Sequence, residues 1–350
     1  MSAVLPGLLL AVAIALTGQA AAHALGAGLL GGIKSPISAT LLAIVIGMLI
    51  RNLLPFSPRL SPGISFALKR ILRLGIVLLG IRLSLADLGT IGIKAVPVAV
   101  ITVSTALVLT TWLGARVGVP RRLGTLIAVG TGVCGTTAIM ASAPAIGARD
   151  DEVCYAVACI TLFGLVAMLA YPFAAHAIFD GDTLRVGVFL GTSVHDTAQV
   201  AGAGLVYQQV YQQPAALEAA TVTKLVRNLG MLVVIPLMSV WYQRSGEDVH
   251  AAKKWYQMVP LFVIGFALMS LLRTAGDAMH VDWSRPELWT DTVGYLKTAA
   301  TFCLTVAMAA VGLGTDLSTL RDTGFRPLAV GLASALMVGV VSVLMIHLWL

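Results

Sequence analysis

Polar and ionisable side chains interrupt the apolar runs of this chain at three places. His195 and Asp196 stand side by side in one of them, surrounded by glycine, serine and threonine. Ionisable groups are costly inside membrane spans, and they are functional candidates there. The three polar stretches are GTGVCGTTA (130–138), GTSVHDTAQVAGAG (191–204) and TKLVRN (223–228).

The first two polar stretches resemble each other when they are aligned at an offset of 61 residues. Glycine and threonine weaken or bend a helix. Broken backbone at membrane depth persists only inside protein or beside a water-filled cavity. We therefore predict that both spans are discontinuous helices near the membrane midplane. The shared positions are Gly130/Gly191, Thr131/Thr192, Val133/Val194 and Thr136/Thr197.

A discontinuous helix offers a way to bind an anion without a cationic side chain. The N-terminus of a half-helix presents free N–H groups and a partial positive charge. Thr136 and Thr137 add hydroxyl donors there. The alternative is that the small residues only let helices pack closely. The candidate substrate-binding residues are Gly132, Cys134, Gly135, Thr136, Thr137, Thr192, His195, Gln199, Lys224, Arg227 and Asn228.

His195 and Asp196 are candidates for coupling transport to an ion or proton. Histidine gains and loses a proton near neutral pH, and Asp196 could orient the ring or pair with a cation. Thr192, His195, Asp196 and Gln199 have helical spacing, so we expect them to share one helical face. The alternative is a buried polar pair that only ties helices together.

Lys224 and Arg227 supply positive charge three residues apart, about ten residues inside the next apolar run. Arginine suits oxyanions because its guanidinium group donates paired hydrogen bonds. The alternative is that one of these cations neutralises Asp196 or Glu218.

Composition assigns the chain to the polytopic membrane proteins. Its 350 residues are 58% hydrophobic and 11% charged, and the mean hydropathy is +0.92. We expect an all-α fold with ten or eleven spans in the lipid bilayer. The expected spans lie near 3–23, 36–53, 64–83, 91–113, 120–147, 152–178, 183–206, 215–242, 256–273, 292–314 and 326–349.

An internal repeat organises these spans. The segment LGIRLSLADLGTIGIKAVPVAV (79–100) aligns without gaps to VGLGTDLSTLRDTGFRPLAVGL (311–332), with Gly80 opposite Gly312. The copies lie an odd number of expected spans apart, so they point oppositely across the membrane. Inverted repeats are typical of many secondary transporters. We predict an additional N-terminal helix (1–29), a first repeat unit (30–180) and a second repeat unit (181–350).

Basic loop residues predict the orientation of the chain. One set of alternate loops, which includes Arg51, Arg121 and Lys253, is richer in Lys and Arg than the other set, which includes Lys34 and Arg285. The richer set should be cytoplasmic, and this places the N-terminus in the cytoplasm. We expect a bacterial inner-membrane location, and a homodimer is an option.

Several functions are disfavoured. The net charge of +7 is scattered over short loops, so we expect no nucleic-acid partner. The four cysteines form no CxxC pair, so we expect no metal site. No familiar enzyme or nucleotide-binding motif stands in a convincing structural context, so we expect no enzyme activity and no cofactor. An intramembrane enzyme that uses Cys134 or His195 and a scaffold protein stay as alternatives.

The polar stretches resemble a known family. GTGVCGTTAIMASAPAI, GTSVHDTAQVAGAG, TKLVRN and RLGIVLLGIRLSLADL are similar to signatures of the sulfate exporter family of YeiH-type membrane proteins. That resemblance implies membership of the bile acid, arsenite and riboflavin transporter superfamily. It also implies two inverted five-helix repeats, a core domain with crossed discontinuous helices, and a panel domain.

The resemblance implies secondary active transport, with sulfate-like or sulfonate-like small anions as substrates. Alternating access would be driven by a coupling proton or sodium ion, or by exchange. A cation/proton antiporter that uses Asp196 and Asp316 is the main alternative. Thr136 and Thr137 depart from the alanine or serine expected in the family, which bears on the substrate.

Overall fold

The structure is a computed structural model that describes residues 3–29, 38–244, 261–279, 287–316 and 325–350. Within these ranges the chain is almost entirely helical and forms no strand. The α-helices are α1 (Leu5–Leu29), α2 (Ala39–Leu53), α3 (Ser61–Phe66), α4 (Leu72–Leu79), α5 (Leu85–Val117), α6 (Arg121–Gly132), α7 (Thr136–Ser142), α8 (Asp150–Ile178), α9 (Thr183–Ser193), α10 (Thr197–Tyr211), α11 (Pro214–Leu229), α12 (Met231–Arg244), α13 (Leu261–Met279), α14 (Glu287–Gly314) and α15 (Phe325–Trp349).

The predicted all-α polytopic membrane fold is confirmed. Among the described residues, seven helical segments are long and apolar enough to cross a membrane. The other expected spans coincide with shorter helices, which follow one another closely in the chain. The seven segments are Leu5–Leu25, Leu85–Val117, Asp150–Ile178, Pro214–Arg244, Leu261–Met279, Glu287–Gly314 and Phe325–Trp349.

The two predicted helix discontinuities are present. The span expected at 120–147 consists of α6 and α7, which are separated by three residues after Gly132. The span expected at 183–206 consists of α9 and α10, which are separated by three residues after Ser193. Each break therefore lies inside one of the two glycine- and threonine-rich stretches.

Contacts divide the chain into two compact units that are interleaved in sequence. The first unit comprises Met1–Thr90, Gly204–Glu218 and Leu261–Ser318, and the second comprises Ile91–Ala203, Ala219–Pro260 and Thr319–Leu350. This grouping follows packing and does not address internal symmetry. The predicted repeat boundaries after residues 29 and 180 stay a prediction.

The first unit is built around the packing of α14 on α2. A Cβ atom on Gly312 of α14 would overlap the carbonyl oxygen of Ile44 on α2. On the other helix, a Cβ atom on Gly47 would lie 2.6 Å from the carbonyl oxygen of Ala309. Small residues allow such close approach of helix backbones. Glycine is therefore needed at both positions because the neighbouring backbone occupies the space of a side chain.

The second unit packs α6 against α8 and α15, and α7 against α8 and α12. Two of its helices, α8 and α9, begin at side-chain caps. The Asp182 carboxylate accepts the N–H groups of Leu184 and Arg185 at 3.0 Å and caps α9. At the start of α8, Glu152 accepts the N–H of Arg149 at 2.9 Å. These caps satisfy N–H groups that the first helical turn leaves without partners.

The first copy of the sequence repeat and the described part of the second copy share one structural feature. A Cβ atom on Gly80 would overlap the carbonyl oxygen of Phe266, just as one on Gly312 would overlap that of Ile44. The aligned glycines thus both mark a close backbone approach. Residues 317–324 of the second copy lie outside the described ranges, as do Lys34, Lys253, Lys254, Arg285, Arg321 and residues 256–260.

We expect Gly312→Ala to lower the thermal unfolding temperature of the purified protein, because the added methyl group would meet the backbone of α2. Gly294→Ala in the same helix is the matched control, because nothing lies within 4 Å of a Cβ atom there. Alanine gains up to about 1 kcal/mol over glycine in a helix, so the control should be neutral or more stable. Equal effects of the two substitutions in a thermal unfolding assay would contradict the close packing.

Candidate functional site

The backbone leaves the helical conformation at both breaks within the second unit. After α6, Val133 adopts φ −111° and ψ −89°, and Gly135 adopts φ +65° and ψ −130°. After α9, Val194 is extended, with φ −81° and ψ 138°. Each break leaves carbonyl groups at the end of one half-helix without intrahelical partners. These groups need other donors, since the site is buried.

Lys224 supplies donors to both breaks. Its Nζ donates to the carbonyl oxygens of Val133 and Val194, each at 3.1 Å, and to that of His195. Only 1% of Lys224 is exposed. An ammonium group has three N–H donors, and the three carbonyl groups match that number. The charge is therefore held by the backbone of the two breaks.

Arg227, one turn further along α11, also donates hydrogen bonds to both breaks. Its Nε donates to the carbonyl oxygen of Gly132 at 2.6 Å, and its Nη2 donates to that of Thr131. Its Nη1 donates to the carbonyl oxygens of Thr192 and Val194. Arg227 is also only 1% exposed. A cation at the C-terminus of a helix is stabilised by the helix dipole, and here two helix ends share the same two cations.

The contacts match the sequence alignment of the two breaks residue by residue. Thr131 and Thr192 both present their carbonyl oxygens to Arg227. Val133 and Val194 both present theirs to Lys224. Helix resumes at Thr136 in one stretch and at Thr197 in the other. The 61-residue offset therefore identifies structurally equivalent positions around the two cations.

Asp196 touches the start of both resumed helices. Its Oδ1 accepts the N–H of Ala198 at 2.9 Å, as an N-cap residue of α10 does. Its Oδ2 accepts the hydroxyl of Thr136, the first residue of α7, at 2.8 Å. A Cβ atom on Gly135 would lie 2.8 Å from that same Oδ2. The anion at this meeting point is thus the protein's own carboxylate.

The expectation that Thr192, His195, Asp196 and Gln199 share one continuous helical face is wrong. Thr192 belongs to α9 and Gln199 to α10, because the helix breaks between them. The Gln199 Oε1 accepts the N–H of Asp196 at 3.1 Å, which completes a capping box. The D-x-x-Q spacing in the sequence indicates this helix start, because an Asp followed three residues later by Gln is typical of the beginning of a helix.

Most of the other candidate residues hold the breaks together. Thr192 Oγ1 lies 2.6 Å from Ser342 Oγ on α15. The Nε2 of Gln199 donates to the carbonyl oxygen of Thr161 on α8 at 3.1 Å. Cys134 is buried and its Sγ lies 2.9 Å from Met231 Sδ. Thr136 is half-buried and Thr137 is exposed, so these hydroxyl groups are more accessible than the rest.

Two buried side chains at the breaks have polar atoms without partners among the described residues. Neither ring nitrogen of His195, which is 0% exposed, has a hydrogen bond. The Asn228 Oδ1 also has none, and its Nδ2 donates to Thr197 Oγ1 at 3.3 Å. Buried polar atoms are normally hydrogen-bonded. These atoms are therefore suited to contact a bound polar molecule or ion.

The proposed neutralisation of Lys224 or Arg227 by a carboxylate is not seen. Among the described residues neither cation forms an ion pair, and Asp316, considered as a cation ligand, pairs with Arg51 at 2.7 Å within the first unit. The part of the chain that the structure describes also contains no group of three His, Cys, Asp or Glu residues able to hold a metal ion. Positive charge therefore exceeds the acidic charge at the two breaks.

The fold and site define a multi-pass α-helical membrane protein with two broken helices that meet on a pair of buried cations. Residues 6–331 match the family model described as Conserved hypothetical protein 698, and the chain belongs to that family. No solved structure matches the chain.

Curated relatives share nearly the full length of the chain. A UPF0324 membrane protein of Streptococcus pyogenes serotype M3 is 31% identical over 93% of this chain and 92% of its own. One of Agrobacterium fabrum is 35% identical over 86% of this chain and 81% of its own. One of Fusobacterium nucleatum is 29% identical over 91% of this chain and 93% of its own. Their names describe a membrane protein and assign no substrate.

We expect Arg227→Lys to destabilise the protein although it keeps the charge, because one ammonium group cannot reach all four carbonyl groups. Hydrogen bonds that involve a charged group contribute about 1.5–3 kcal/mol each, so the unfolding temperature should fall clearly. The control is Arg116→Lys at an exposed position beside Trp112, which should change stability little. A stability of Arg227→Lys equal to that of the control would argue against this role.

We expect Gly135→Ala to disturb the meeting point of the two breaks. Its φ of +65° disfavours residues with a Cβ atom, and the added methyl group would press on Asp196. The matched control is Gly124→Ala in the preceding helix, where nothing lies within 4 Å of a Cβ atom. Thermal unfolding of both variants would check this, and a Gly135→Ala protein as stable as the control would refute it.

Proposed function

We propose that the protein is a secondary active transporter that exports a small oxyanion, sulfate-like or sulfonate-like, by alternating access. The observation that carries the proposal is the pair of buried cations at the two breaks. Lys224 and Arg227 bring two positive charges to a site where Asp196 is the acid in contact with the broken helices. A site with excess positive charge favours an anion.

The cations would act through their field and would not contact the substrate directly. All three N–H groups of Lys224 are engaged with carbonyl groups, and so are four of the five of Arg227. Direct contacts would come from the hydroxyl groups of Thr136, Thr137 and Thr197, which are the accessible donors near the breaks. His195 would donate a ring N–H, since its ring nitrogens have no partners within the described ranges, and Asn228 would donate the second N–H of the Nδ2 that already binds Thr197.

The resemblance to the YeiH-type exporters supports this assignment, because three of the four stretches that carry the resemblance form the two breaks and their cations. The proposal includes the transporter superfamily, the inverted repeats and a bacterial inner-membrane location with a cytoplasmic N-terminus. The proposal also includes coupling to a proton or sodium ion, assembly as a homodimer, and no enzymatic reaction.

The first experiment asks whether a small oxyanion binds and moves. Purified protein would be screened by thermal shift against sulfate, sulfite, thiosulfate, methanesulfonate and acetate, because a ligand that binds the folded state raises its stability. Proteoliposomes loaded with sulfate would then be tested for exchange with labelled external sulfate. We expect a shift and exchange with a sulfur oxyanion. The absence of both for every anion would refute the proposal.

We expect Asn228→Ala to weaken sulfate binding about tenfold, the effect of losing roughly one hydrogen bond to a charged ligand. Asn52→Ala is the matched control, because Asn52 binds backbone carbonyl groups of Met48 and Thr315 in the first unit. The control should keep wild-type sulfate affinity in the same thermal-shift titration. Equal affinity of both variants would exclude Asn228 from the binding site.

Cation/proton antiport is the second candidate, and the half-buried carboxylate of Asp196 at the breaks is the observation that favours it. It predicts that sodium or lithium ions dissipate a pH gradient across proteoliposomes. The anion transporter predicts exchange of labelled sulfate without sodium-dependent proton release. Both assays use the same vesicles, so their results can be compared directly.

A further inference from the structure

Asp196 already occupies the donors that a bound oxyanion would use. One carboxylate oxygen accepts the hydroxyl of Thr136 at 2.8 Å, and the other accepts the N–H of Ala198 at 2.9 Å. These donors belong to the starts of two different half-helices, α7 and α10. A carboxylate and a sulfate-like ion present similar oxygen acceptors, so the two groups would compete for the same contacts.

Buried polar groups near Asp196 have atoms without hydrogen-bond partners among the described residues. Asn228 is only 2% exposed, and its amide reaches the hydroxyl of Thr197 at the start of α10, at 3.3 Å. The Oδ1 of Asn228 has no partner in the described part of the chain, and neither ring nitrogen of His195 has one. These buried polar groups adjoin the same helix start as Asp196. A ring N–H of His195 and the second amide N–H of Asn228 are donors that Asp196 leaves unused.

The charges around Asp196 make its protonation state important for anion binding. The neighbouring titratable and charged groups are Cys134 at the first break, His195 beside Asp196, and Lys224 and Arg227 on α11. The nearby positions on α8 are Thr161 and Gly164, which carry no charge. Two C-terminal and two N-terminal helix ends meet there, so their partial charges largely cancel. The side chains then set the net charge.

We propose that an oxyanion and the ionised Asp196 carboxylate compete for one set of donors, so that each bound oxyanion is accompanied by one proton on Asp196. This inference rests on the proposed anion transport and specifies its coupling. The proton comes from the solution on the side where the anion enters, and it binds a carboxylate oxygen of Asp196. Both leave on the other side, so one sulfate dianion moves with one proton and carries one net negative charge outward, a movement that an inside-negative membrane potential favours.

The test is the pH dependence of sulfate binding to the purified full-length protein, measured by thermal-shift titration between about pH 5 and pH 8. Uptake of one proton with each sulfate makes the affinity fall about tenfold per pH unit where Asp196 is ionised. Sulfate itself stays a dianion near neutral pH, so the slope comes from the protein. In Asp196→Asn the affinity should be nearly independent of pH and should exceed that of the wild type at the alkaline end.

Glu218→Gln is the matched control, because Glu218 is a half-buried carboxylate on α11 within the first unit. It should keep the wild-type slope. A flat wild-type profile, a steep profile in Asp196→Asn, or a slope lost in Glu218→Gln would each overturn the competition. A wild type that binds sulfate at no pH would instead overturn the proposed function, and the inference with it.

A second variant keeps the test decisive if Asp196→Asn does not fold. Thr136→Val removes the hydroxyl that donates to the Asp196 carboxylate. If the oxyanion and the carboxylate compete for this donor, its loss should shift the pH profile of sulfate binding, apart from any change in maximal affinity. An unchanged midpoint would contradict the competition between Asp196 and the oxyanion.

Discussion

The central constraint of the second unit is that two broken helices must find donors for their terminal carbonyl groups. Lys224 and Arg227 provide these donors from one face of α11, and each cation binds both breaks. Buried charges are costly unless they are paired or fully hydrogen-bonded. Here the buried carbonyl ends of the broken helices stabilise the cations, and the cations stabilise those helix ends.

The equivalence of the two breaks is not complete, and the difference lies at the site. Position 135 is glycine where the aligned position is Asp196, and the Asp196 side chain fills the space beside Gly135. A single carboxylate therefore serves two helix starts that the sequence otherwise builds alike. This arrangement places one carboxylate in a site with two buried cations.

The sequence predicted the helices and the two breaks, because apolar length and glycine–threonine clusters are local signals. It also predicted which positions of the two stretches correspond. It did not predict that Lys224 and Arg227 bind carbonyl groups, since a backbone acceptor has no side-chain signature. The position of Asp196 between the two helix starts depends on how α7 and α10 approach each other. The spacing to Gln199 showed only that a helix begins there.

The order of these elements in the chain has a consequence for biosynthesis. Both α6 and α9 precede α11 in the chain, so their carbonyl ends leave the ribosome before the residues that bind them. Unpaired carbonyl groups cost several kcal/mol in hydrocarbon. Until α11 inserts, water or the insertion machinery must hydrate these ends, and insertion of this one helix then completes two earlier ones at the same time.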